Sequence, residues 1–205
     1  MSGLGRRGAS CISGLAGGNT IDSREERKVS DIDKLIEILT KIRGGFYHFT
    51  DTRNLALIRA SGLLYTRAQK EKERVAIAPG GNDWSLDADR RSGMDAFVHL
   101  CFFDDHPMEW IARQQGRIAD SLFLKISPQV LRIPDTLIVD TVSNRADAVP
   151  RPAEEMIRNL DLKVIYTRTD WKDPAVQERL KAAKKCEILV PSHIPINLIT
   201  NIPNG

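Results

Sequence analysis

The stretch Lys185-Cys186-Glu187-Ile188-Leu189-Val190-Pro191 places one carboxylate at the mouth of a short, strongly apolar run. Uninterrupted Ile, Leu and Val predict a buried strand. A buried carboxylate without a partner is costly, so Glu187 is either the exposed start of that strand or a carboxylate kept for chemistry. The residues alone leave both interpretations open.

A second short string, Tyr47-His48-Phe49-Thr50, follows Gly44-Gly45. It has strand character, and either its last residue or Asp51 can cap a brief helix after it. We therefore expect His48 and Thr50 to lie where a strand meets a helix start. Taken alone, His48 is more simply interpreted as a half-buried strand histidine bonded to a backbone group.

The length and composition indicate a single domain with a mixed surface. The chain has 205 residues and a net charge of +3, from 30 Lys and Arg against 27 Asp and Glu. This is long enough for one hydrophobic core and short for two. We expect a flexible leader over residues 1–28, because residues 1–20 are rich in Gly and Ser, and one domain over residues 29–205.

The same composition limits the compartment and the partners. The three cysteines are an odd number and widely spaced, which favours a reducing, cytoplasmic setting. No apolar run is long enough to span a bilayer, so we expect no membrane association. The mild basic excess permits a nucleic-acid partner without demanding one.

The order of predicted elements favours an α+β fold. A helix is predicted from Ser30 to the Gly44-Gly45 stop, whereas the stretch between Thr66 and Asp95 has no clear period and is predicted to be a long functional loop. Helices do not follow every strand, which argues against a doubly wound parallel sheet. Further strands are predicted over residues 96–103, 121–126, 136–139 and 187–190, and further helices from Pro107, Arg151-Pro152 and Asp173-Pro174.

Metal and common nucleotide motifs are not supported. None of His48, His99, His106 and His193 is four residues from another, and no cysteine or carboxylate completes a ligand set at metal spacing. We therefore expect no metal. There is also no glycine fingerprint of a Rossmann site and no P-loop.

Two basic features are candidates for phosphate binding. Arg90 and Arg91 lie in the predicted central loop, where a guanidinium could clamp a phosphate but is more often simply solvated. The lysines between Arg168 and Lys185 form either the solvated face of a helix or a phosphate-tracking ridge that leads to Glu187.

Several of these motifs, taken in their order along the chain, resemble the DarT family of nucleic-acid ADP-ribosyltransferases. The resemblance is carried by Tyr47-His48-Phe49-Thr50 with Asn54-Leu55, then by Gly62-Leu63-Leu64. An aromatic strand follows at Phe97–Phe103 with Pro107-Met108 after it. Leu160-Asp161, Trp171-Lys172-Asp173-Pro174 and the Glu187–Val190 strand complete the order. The likeness spans about residues 46–199.

The resemblance implies a fold, a reaction and roles for particular residues. The fold would be the split β-sheet of ADP-ribosyltransferases with flanking helices. Glu187 would be the catalytic carboxylate, assisted by Arg90 or Arg91. NAD would be the co-substrate, bound by Tyr47, His48, Thr50 and Asn54, and the acceptor would be a base of single-stranded DNA, either thymine or guanine.

The resemblance also implies a biological setting and leaves alternatives. The setting would be a toxin–antitoxin or phage-defence system with a macrodomain antitoxin, and we expect a monomeric toxin. The alternatives are an ADP-ribosyltransferase acting on RNA, protein or a small molecule, and an inactive nucleic-acid-binding module on the same fold. Consumption of NAD separates the inactive module from the enzymes, and the labelled product separates the enzymes from one another.

Overall fold

The computed structural model describes residues 30–42, 44–73 and 83–203. The predicted leader, residues 1–28, lies outside the described residues. The helices are α1 Asp31–Lys41, α2 Leu55–Ser61, α3 Arg67–Lys72, α4 Asp83–Ser92, α5 Pro107–Gln114, α6 Ala153–Met156, α7 Leu162–Tyr166 and α8 Pro174–Ala183. The strands are β1 Phe46–Asp51, β2 Leu63–Tyr65, β3 Phe97–Cys101, β4 Ser121–Ile126, β5 Leu137–Val139, β6 Arg151–Pro152, β7 Glu187–Pro191 and β8 His193–Pro195.

The strands form an antiparallel sheet whose order differs from the chain order. Six strands are arranged as β4-β1-β3-β7-β5-β6, and β2 pairs with β8 in a separate two-stranded sheet. Each strand pair in the described residues is antiparallel. Because helices are not interleaved with parallel strands, the α+β prediction is confirmed.

The sheet splits between β1 and β3. These two strands pair only at Tyr47 and Cys101, whereas β1 pairs with β4 over six positions and β3 pairs with β7 over five. Beyond that single pair β1 and β3 diverge, so residues 48–50 on one side and 97–100 on the other border a cleft. A sheet interrupted in this way presents backbone groups and side chains of two strands to a ligand rather than to each other.

The core lies on one face of the sheet. Alternate residues of β3 and β7, such as Leu100 and Ile188, are buried there against apolar residues of α1 such as Leu39. The intervening residues of the same strands, among them His99 and Glu187, point to the opposite face because strand side chains alternate. One face therefore supplies stability, and the other is available for chemistry.

Gly45 allows the start of β1 to lie close to β4. A Cβ atom at this position would lie 2.7 Å from the carbonyl oxygen of Ile126 in β4. No side chain fits there, so the Gly44-Gly45 break both ends the α1 region and lets β1 approach β4 closely. The helix start at Ser30 is also as predicted, since the Ser30 hydroxyl accepts a hydrogen bond from the Asp33 amide.

The predicted long loop between Thr66 and Asp95 is wrong for the described part of that stretch. It contains α3 and α4 instead, and Pro79–Asn82 lies outside the described residues. The Thr66 hydroxyl accepts from the Gln69 amide and caps α3, and Arg67 pairs with Glu71 four residues later. A helix supported by a cap and by polar pairs has no apolar period, which explains why the pattern did not reveal it.

The other predicted elements agree with the structure to within a few residues. Pro107 begins α5, Pro174 begins α8, and the apolar run from Glu187 is β7. The exception is Arg151-Pro152, which forms the short edge strand β6 before α6 rather than the start of a helix. Within the described ranges, no helix has both the length and the apolar character needed to cross a membrane.

Asp51 ties the end of β1 to its surroundings. It is buried, and its carboxylate accepts hydrogen bonds from the Arg53 amide and guanidinium and from the amide of Ala119. The Arg53 hydrogen bonds hold the pKa of Asp51 well below its usual range. The carboxylate therefore fixes the turn that follows His48 and Thr50.

We predict that Asp51→Ala lowers the free energy of unfolding by about 2 kcal/mol, because the cap of the short 3-10 helix Thr52–Asn54 is lost and the amides of Arg53 and Ala119 lose their acceptor. Urea denaturation measures the change. The contribution of Asp51 is present above its unfolded pKa of about 3.8 and is lost as the pH falls through its lower folded pKa. Asp120→Ala, at an exposed neighbouring carboxylate, is the matched control and should change little. Equal losses in both variants would contradict this role for Asp51.

Candidate active site

A cavity of about 650 Å³ opens where the sheet splits. Its floor is formed by β1, β3 and the first residue of β7. Its walls come from α3, α4, the end of α8 and residues 142–144. This volume lies within the range of small-molecule and cofactor sites. The candidate residues Tyr47, His48, Thr50, Asn54 and Glu187 all line this cavity.

Glu187 is a buried carboxylate at the centre of the sheet. Only 7% of its surface is exposed, so the interpretation as an exposed strand start is wrong. Its Oε2 atom accepts a hydrogen bond of 2.6 Å from the Ser143 hydroxyl and lies 3.0 Å from Nδ1 of His99. Both contacts converge on one oxygen, and Oε1 has no hydrogen bond to the described residues.

His99 is positively charged beside Glu187. Its Nε2 atom lies 2.9 Å from the carbonyl oxygen of Met94 and must donate a proton to it. Its Nδ1 atom faces the Glu187 carboxylate, which also only accepts, so both ring nitrogens carry protons. Burial favours the neutral ring, but the hydrogen bond and charge of Glu187 outweigh burial and raise the pKa of His99 to about 9.

The same pair keeps Glu187 ionised. Burial alone would raise the pKa of this carboxyl group. The hydrogen bond and positive charge of His99, with the Ser143 hydroxyl, outweigh burial and lower the pKa below its usual range. The cavity therefore holds a desolvated negative charge at neutral pH, fixed in position by two neighbours.

His48 is neutral and bridges the split. Its Nδ1 atom donates a hydrogen bond of 2.9 Å to the backbone carbonyl of His99. Burial lowers the pKa of His48 to about 4 despite that bond. Because Nδ1 carries the proton, Nε2 is an acceptor. His48 is thus both the strand histidine of the simpler interpretation and a cavity residue.

Thr50 and Asn54 form a buried polar pair beside His48. The Asn54 side-chain amide donates a hydrogen bond of 3.1 Å to the Thr50 hydroxyl. Asn54 ends the short 3-10 helix Thr52–Asn54, so the turn fixed by Asp51 brings it back over β1. Tyr47 lines the cavity from the same strand, and burial raises its pKa.

Arg90 and Arg91 lie at the end of α4, and both are exposed. Neither is among the residues that line the cavity. Arg90 instead donates to Glu71 of α3 at 2.8 Å, and Glu71 also accepts from Arg67, which does line the cavity. Arg90 therefore connects to the site through two intervening side chains. A catalytic role for either arginine stays a prediction.

Several cavity residues were not singled out from the sequence. His99 was considered only as a metal ligand, although a histidine inside Phe97-Val98-His99-Leu100-Cys101 is an unusual polar residue in an apolar strand. Lys70 of α3 was part of an unremarkable charged run, and Ser143 carries no sequence signal. His106 caps α5, its Nδ1 accepts from the Met108 amide, and burial lowers its pKa.

The lysine-rich helix reaches the cavity. Lys181, Lys184 and Lys185 line its edge at the end of α8. Lys184 forms an ion pair with Asp105 in the segment before α5, so α8 and the start of α5 lie side by side at the rim. The two interpretations of this segment are thus compatible: the helix is exposed, and its C-terminal end borders the site.

The site contains one buried cysteine, Cys101, and the described residues provide no cluster of metal ligands. Cys101 is buried beside Glu187, and burial raises the pKa of its thiol to about 12, so it is protonated at neutral pH. In the described ranges, His, Cys, Asp and Glu form no group of three or more arranged to hold a metal ion. Independence from metals stays a prediction.

A family profile described as "ssDNA thymidine ADP-ribosyltransferase, DarT" matches residues 47–203 of this chain. The chain belongs to the DarT family. This confirms the resemblance seen in the sequence and the expected activity, NAD-dependent ADP-ribosylation of single-stranded DNA. No curated protein matches the chain.

Solved structures support the same fold. DarT of Thermus sp. 2.9 in complex with ADP-ribosylated ssDNA is 21% identical, with a TM-score of 0.56 over 76% of this chain and 78% of that chain. Its complex with NAD+ gives 22% identity and a TM-score of 0.51, over 76% and 79% of the two chains. DarTG of Thermosipho africanus in complex with ADP-ribose gives 20% and 0.59, over 77% of this chain and 43% of that chain. These matches confirm the predicted ADP-ribosyltransferase fold.

The charge on His99 predicts a measurable titration. In the wild-type protein, NMR of the histidine ring should give a pKa of about 9 for His99. In Glu187→Gln the burial penalty remains and the opposing charge is gone, so that pKa should fall below the ordinary value of 6.5. The stability that the raised pKa of His99 contributes is fully present below its unfolded pKa of 6.5 and is lost as the pH rises through about 9. An unchanged His99 titration in Glu187→Gln would contradict the ion pair.

Proposed function

We propose that this cavity binds NAD and transfers ADP-ribose to a base of single-stranded DNA, with Glu187 as the catalytic carboxylate. The observation that carries the proposal is the ionised, buried Glu187, held by His99 and Ser143 in the split of the sheet. A charge kept in this state costs folding energy, and its position in a cleft is typical of a residue retained for chemistry.

The reaction is a substitution at C1′ of the nicotinamide ribose. The bond from C1′ to the nicotinamide nitrogen breaks, and nicotinamide leaves as a neutral molecule with the bonding electron pair. A nitrogen of the base forms the new bond to C1′ and loses a proton to water. Positive charge builds up on the ribose between these events, as in glycoside hydrolysis.

Glu187 suits this charge development. Its Oε2 is occupied by His99 and Ser143, so Oε1 is available to accept a hydrogen bond from a ribose hydroxyl. A carboxylate that is already desolvated and fixed needs no reorganisation when the positive charge appears, which is why such groups lower barriers. His99 and Ser143 act through Glu187 and are positioning residues.

The NAD-binding roles follow from the polar groups around the split. Nε2 of neutral His48 can accept from a ribose hydroxyl. The Thr50 hydroxyl and the Asn54 amide add polar contacts along the same wall, and Tyr47 adds an aromatic surface. We propose that these four residues bind NAD.

The rim of the cavity supports a single-stranded nucleic acid as the acceptor. Lys181, Lys184 and Lys185 line one edge, where they can contact phosphates. Outside the residues that line the cavity, the indole rings of Trp110 on α5 and Trp171 before α8 are exposed and can stack on unpaired bases. The base must be unpaired or flipped out to reach Glu187. Thymine, the base in the family's description, is the first to test.

We also propose the biological setting that the family resemblance implied. The enzyme would be the toxin of a toxin–antitoxin or phage-defence system, acting as a monomer in the cytoplasm and countered by a macrodomain antitoxin. The similarity to a DarTG chain, of which 43% is covered, supports a system with additional parts. RNA, protein or small-molecule acceptors remain alternatives for the labelled product to distinguish.

The catalytic assignment is tested with Glu187→Gln. Gln keeps the size and an oxygen that can accept from Ser143, but it removes the negative charge opposite the ribose. We expect NAD binding to survive and the single-turnover rate of transfer to single-stranded DNA to fall by about a hundredfold to a thousandfold.

Glu37→Gln is the matched control, because Glu37 is an exposed glutamate on α1, on the core side of the sheet. It should transfer at the wild-type rate. Transfer by Glu187→Gln at the same rate as this control would remove Glu187 from the chemistry.

The arginines are tested separately from the carboxylate. We propose that Arg90 positions Arg67 through Glu71, and that Arg91 contacts the nucleic acid at the rim. Arg90→Ala should raise the KM for NAD by a few fold, about fivefold at most, at nearly unchanged kcat, because an exposed ion pair contributes little, and Arg90→Lys should restore it in part. Arg91→Ala should instead weaken DNA binding.

The control for both variants is Arg132→Ala. Arg132 is equally exposed and ion-paired, to Asp33, away from the cavity. If the Arg90→Ala and Arg91→Ala double variant transfers ADP-ribose as efficiently as Arg132→Ala, both arginines are merely solvated.

A further inference from the structure

Lys70 is a buried cation with no anionic partner in the part of the chain that the structure describes. Only 8% of its surface is exposed, and its side chain lines the cavity from α3. It forms no hydrogen bond or ion pair with any of the described residues. Lysine is almost never buried to this extent unless it is paired, because desolvation of the ammonium group is costly.

The cost of burying the ammonium group appears as a lowered pKa of Lys70. Burial lowers its pKa from 10.5 to about 8. The side chain is therefore still mostly charged at neutral pH, although an apolar residue of similar length would fill the same space without penalty. A charge retained under these conditions indicates a partner that is absent from the free protein.

Arg67 supplies a second cation on the same side of α3. It lies three residues before Lys70, the spacing that places two side chains on one face of a helix. Its Nε donates to Glu71, which holds the guanidinium in place. Its Nη1 is buried and has no hydrogen-bond partner among the described residues. Two sets of donors on one helix face are thus left for a ligand.

The groups that face Lys70 from other elements do not neutralise it. His48 of β1 is neutral, and the charge of Lys70 helps to lower its pKa. Asp89 of α4 and Asp95 of the following 3-10 helix line the same cavity, yet neither pairs with Lys70. Burial raises the pKa of Asp89, and its buried Oδ1 has no described partner. On the floor, the charge of Glu187 is already paired with His99.

We infer that Lys70 and Arg67 form the binding site for the diphosphate of NAD. The inference rests on the proposed function and adds the residues that bind this part of the co-substrate. A diphosphate carries negative charge for Lys70 and oxygen acceptors for Nη1 of Arg67, whose Nε is already paired with Glu71. An ammonium group and a planar guanidinium are the two usual side-chain donors to phosphate oxygens. The position of Lys70 beside His48 associates it with the dinucleotide rather than with DNA at the rim.

The inference predicts a dependence of binding on pH. Lys70 loses its proton above about pH 8, so the affinity for a diphosphate should fall there by up to tenfold for each pH unit. His99 titrates near pH 9 and could contribute to the same profile. Lys70→Arg keeps its charge over this range, so any dependence that it retains belongs to His99 or another group.

The test measures binding without DNA and without turnover, so it can fail while the transferase assignment stands. Lys70→Met should weaken ADP-ribose by about tenfold to a hundredfold in calorimetry, as expected for one charge-assisted contact, and Lys70→Arg should remain within a few fold of wild type. Nicotinamide riboside, which has no phosphate, should bind both variants and the wild type equally in NMR titrations. Unchanged ADP-ribose affinity in Lys70→Met, or an equal loss for nicotinamide riboside, would overturn the inference.

Two further measurements separate this role from the alternatives. Because the buried charge is a cost below pH 8, Lys70→Met should melt at a higher temperature than wild type at pH 7, and a lower melting temperature would make Lys70 a structural residue. Affinity for single-stranded DNA should be unchanged in Lys70→Met. A loss confined to DNA would assign the cation to the nucleic-acid backbone and overturn the diphosphate site. Should Lys70→Met fail to fold, the pH profiles of wild type and Lys70→Arg still decide, since identical profiles would contradict the inference.

Discussion

The active site depends on one residue that joins the two sides of the split sheet. The imidazolium of His99 holds the Glu187 carboxylate at 3.0 Å, and the backbone carbonyl of the same residue accepts from His48 at 2.9 Å. A third contact, from Nε2 to the Met94 carbonyl, fixes the ring itself. The ion pair with His99 keeps Glu187 charged, whereas burial keeps His48 neutral despite its hydrogen bond to the His99 carbonyl.

This arrangement explains how a small domain keeps charged groups in its interior. The opposite face of the same strands provides an apolar core through Leu100 and Ile188, so the cost of the polar face is offset where the sheet packs. The ion pair with His99 and the Ser143 hydroxyl satisfy Glu187 in the free protein. The groups left without a partner among the described residues, Lys70 and Nη1 of Arg67, are those that a phosphate-bearing ligand can satisfy.

Much of the frame was predictable from local sequence signals. Gly44-Gly45 and the following string define β1 because the glycine break and strand character are local, and the apolar run after Glu187 defines β7. These strands carry His48 and Glu187, so the candidate residues on them came from the sequence. The expectation that these residues share one site came from the family resemblance, which rests on the order of several motifs rather than on any single one.

The rest could not be predicted because its causes are tertiary. The helix α3 has no apolar period, and the burial of Lys70 follows from the elements packed around it rather than from its neighbours in sequence. Ser143 comes from an irregular segment and becomes important only through its distance to Glu187. The arginines Arg90 and Arg91 were assigned to a loop, and the helix found there directs them outwards.

The most direct test of the account is a position-resolved product analysis. The purified protein is incubated with NAD and one oligonucleotide, supplied either as a single strand or annealed to its complement, and the products are sequenced by mass spectrometry. The account predicts an ADP-ribose adduct on a base of the single strand and a much slower reaction of the duplex, because unstacking a paired base costs a few kcal/mol. Release of nicotinamide without any adduct on the oligonucleotide, or equal rates on both forms, would contradict it.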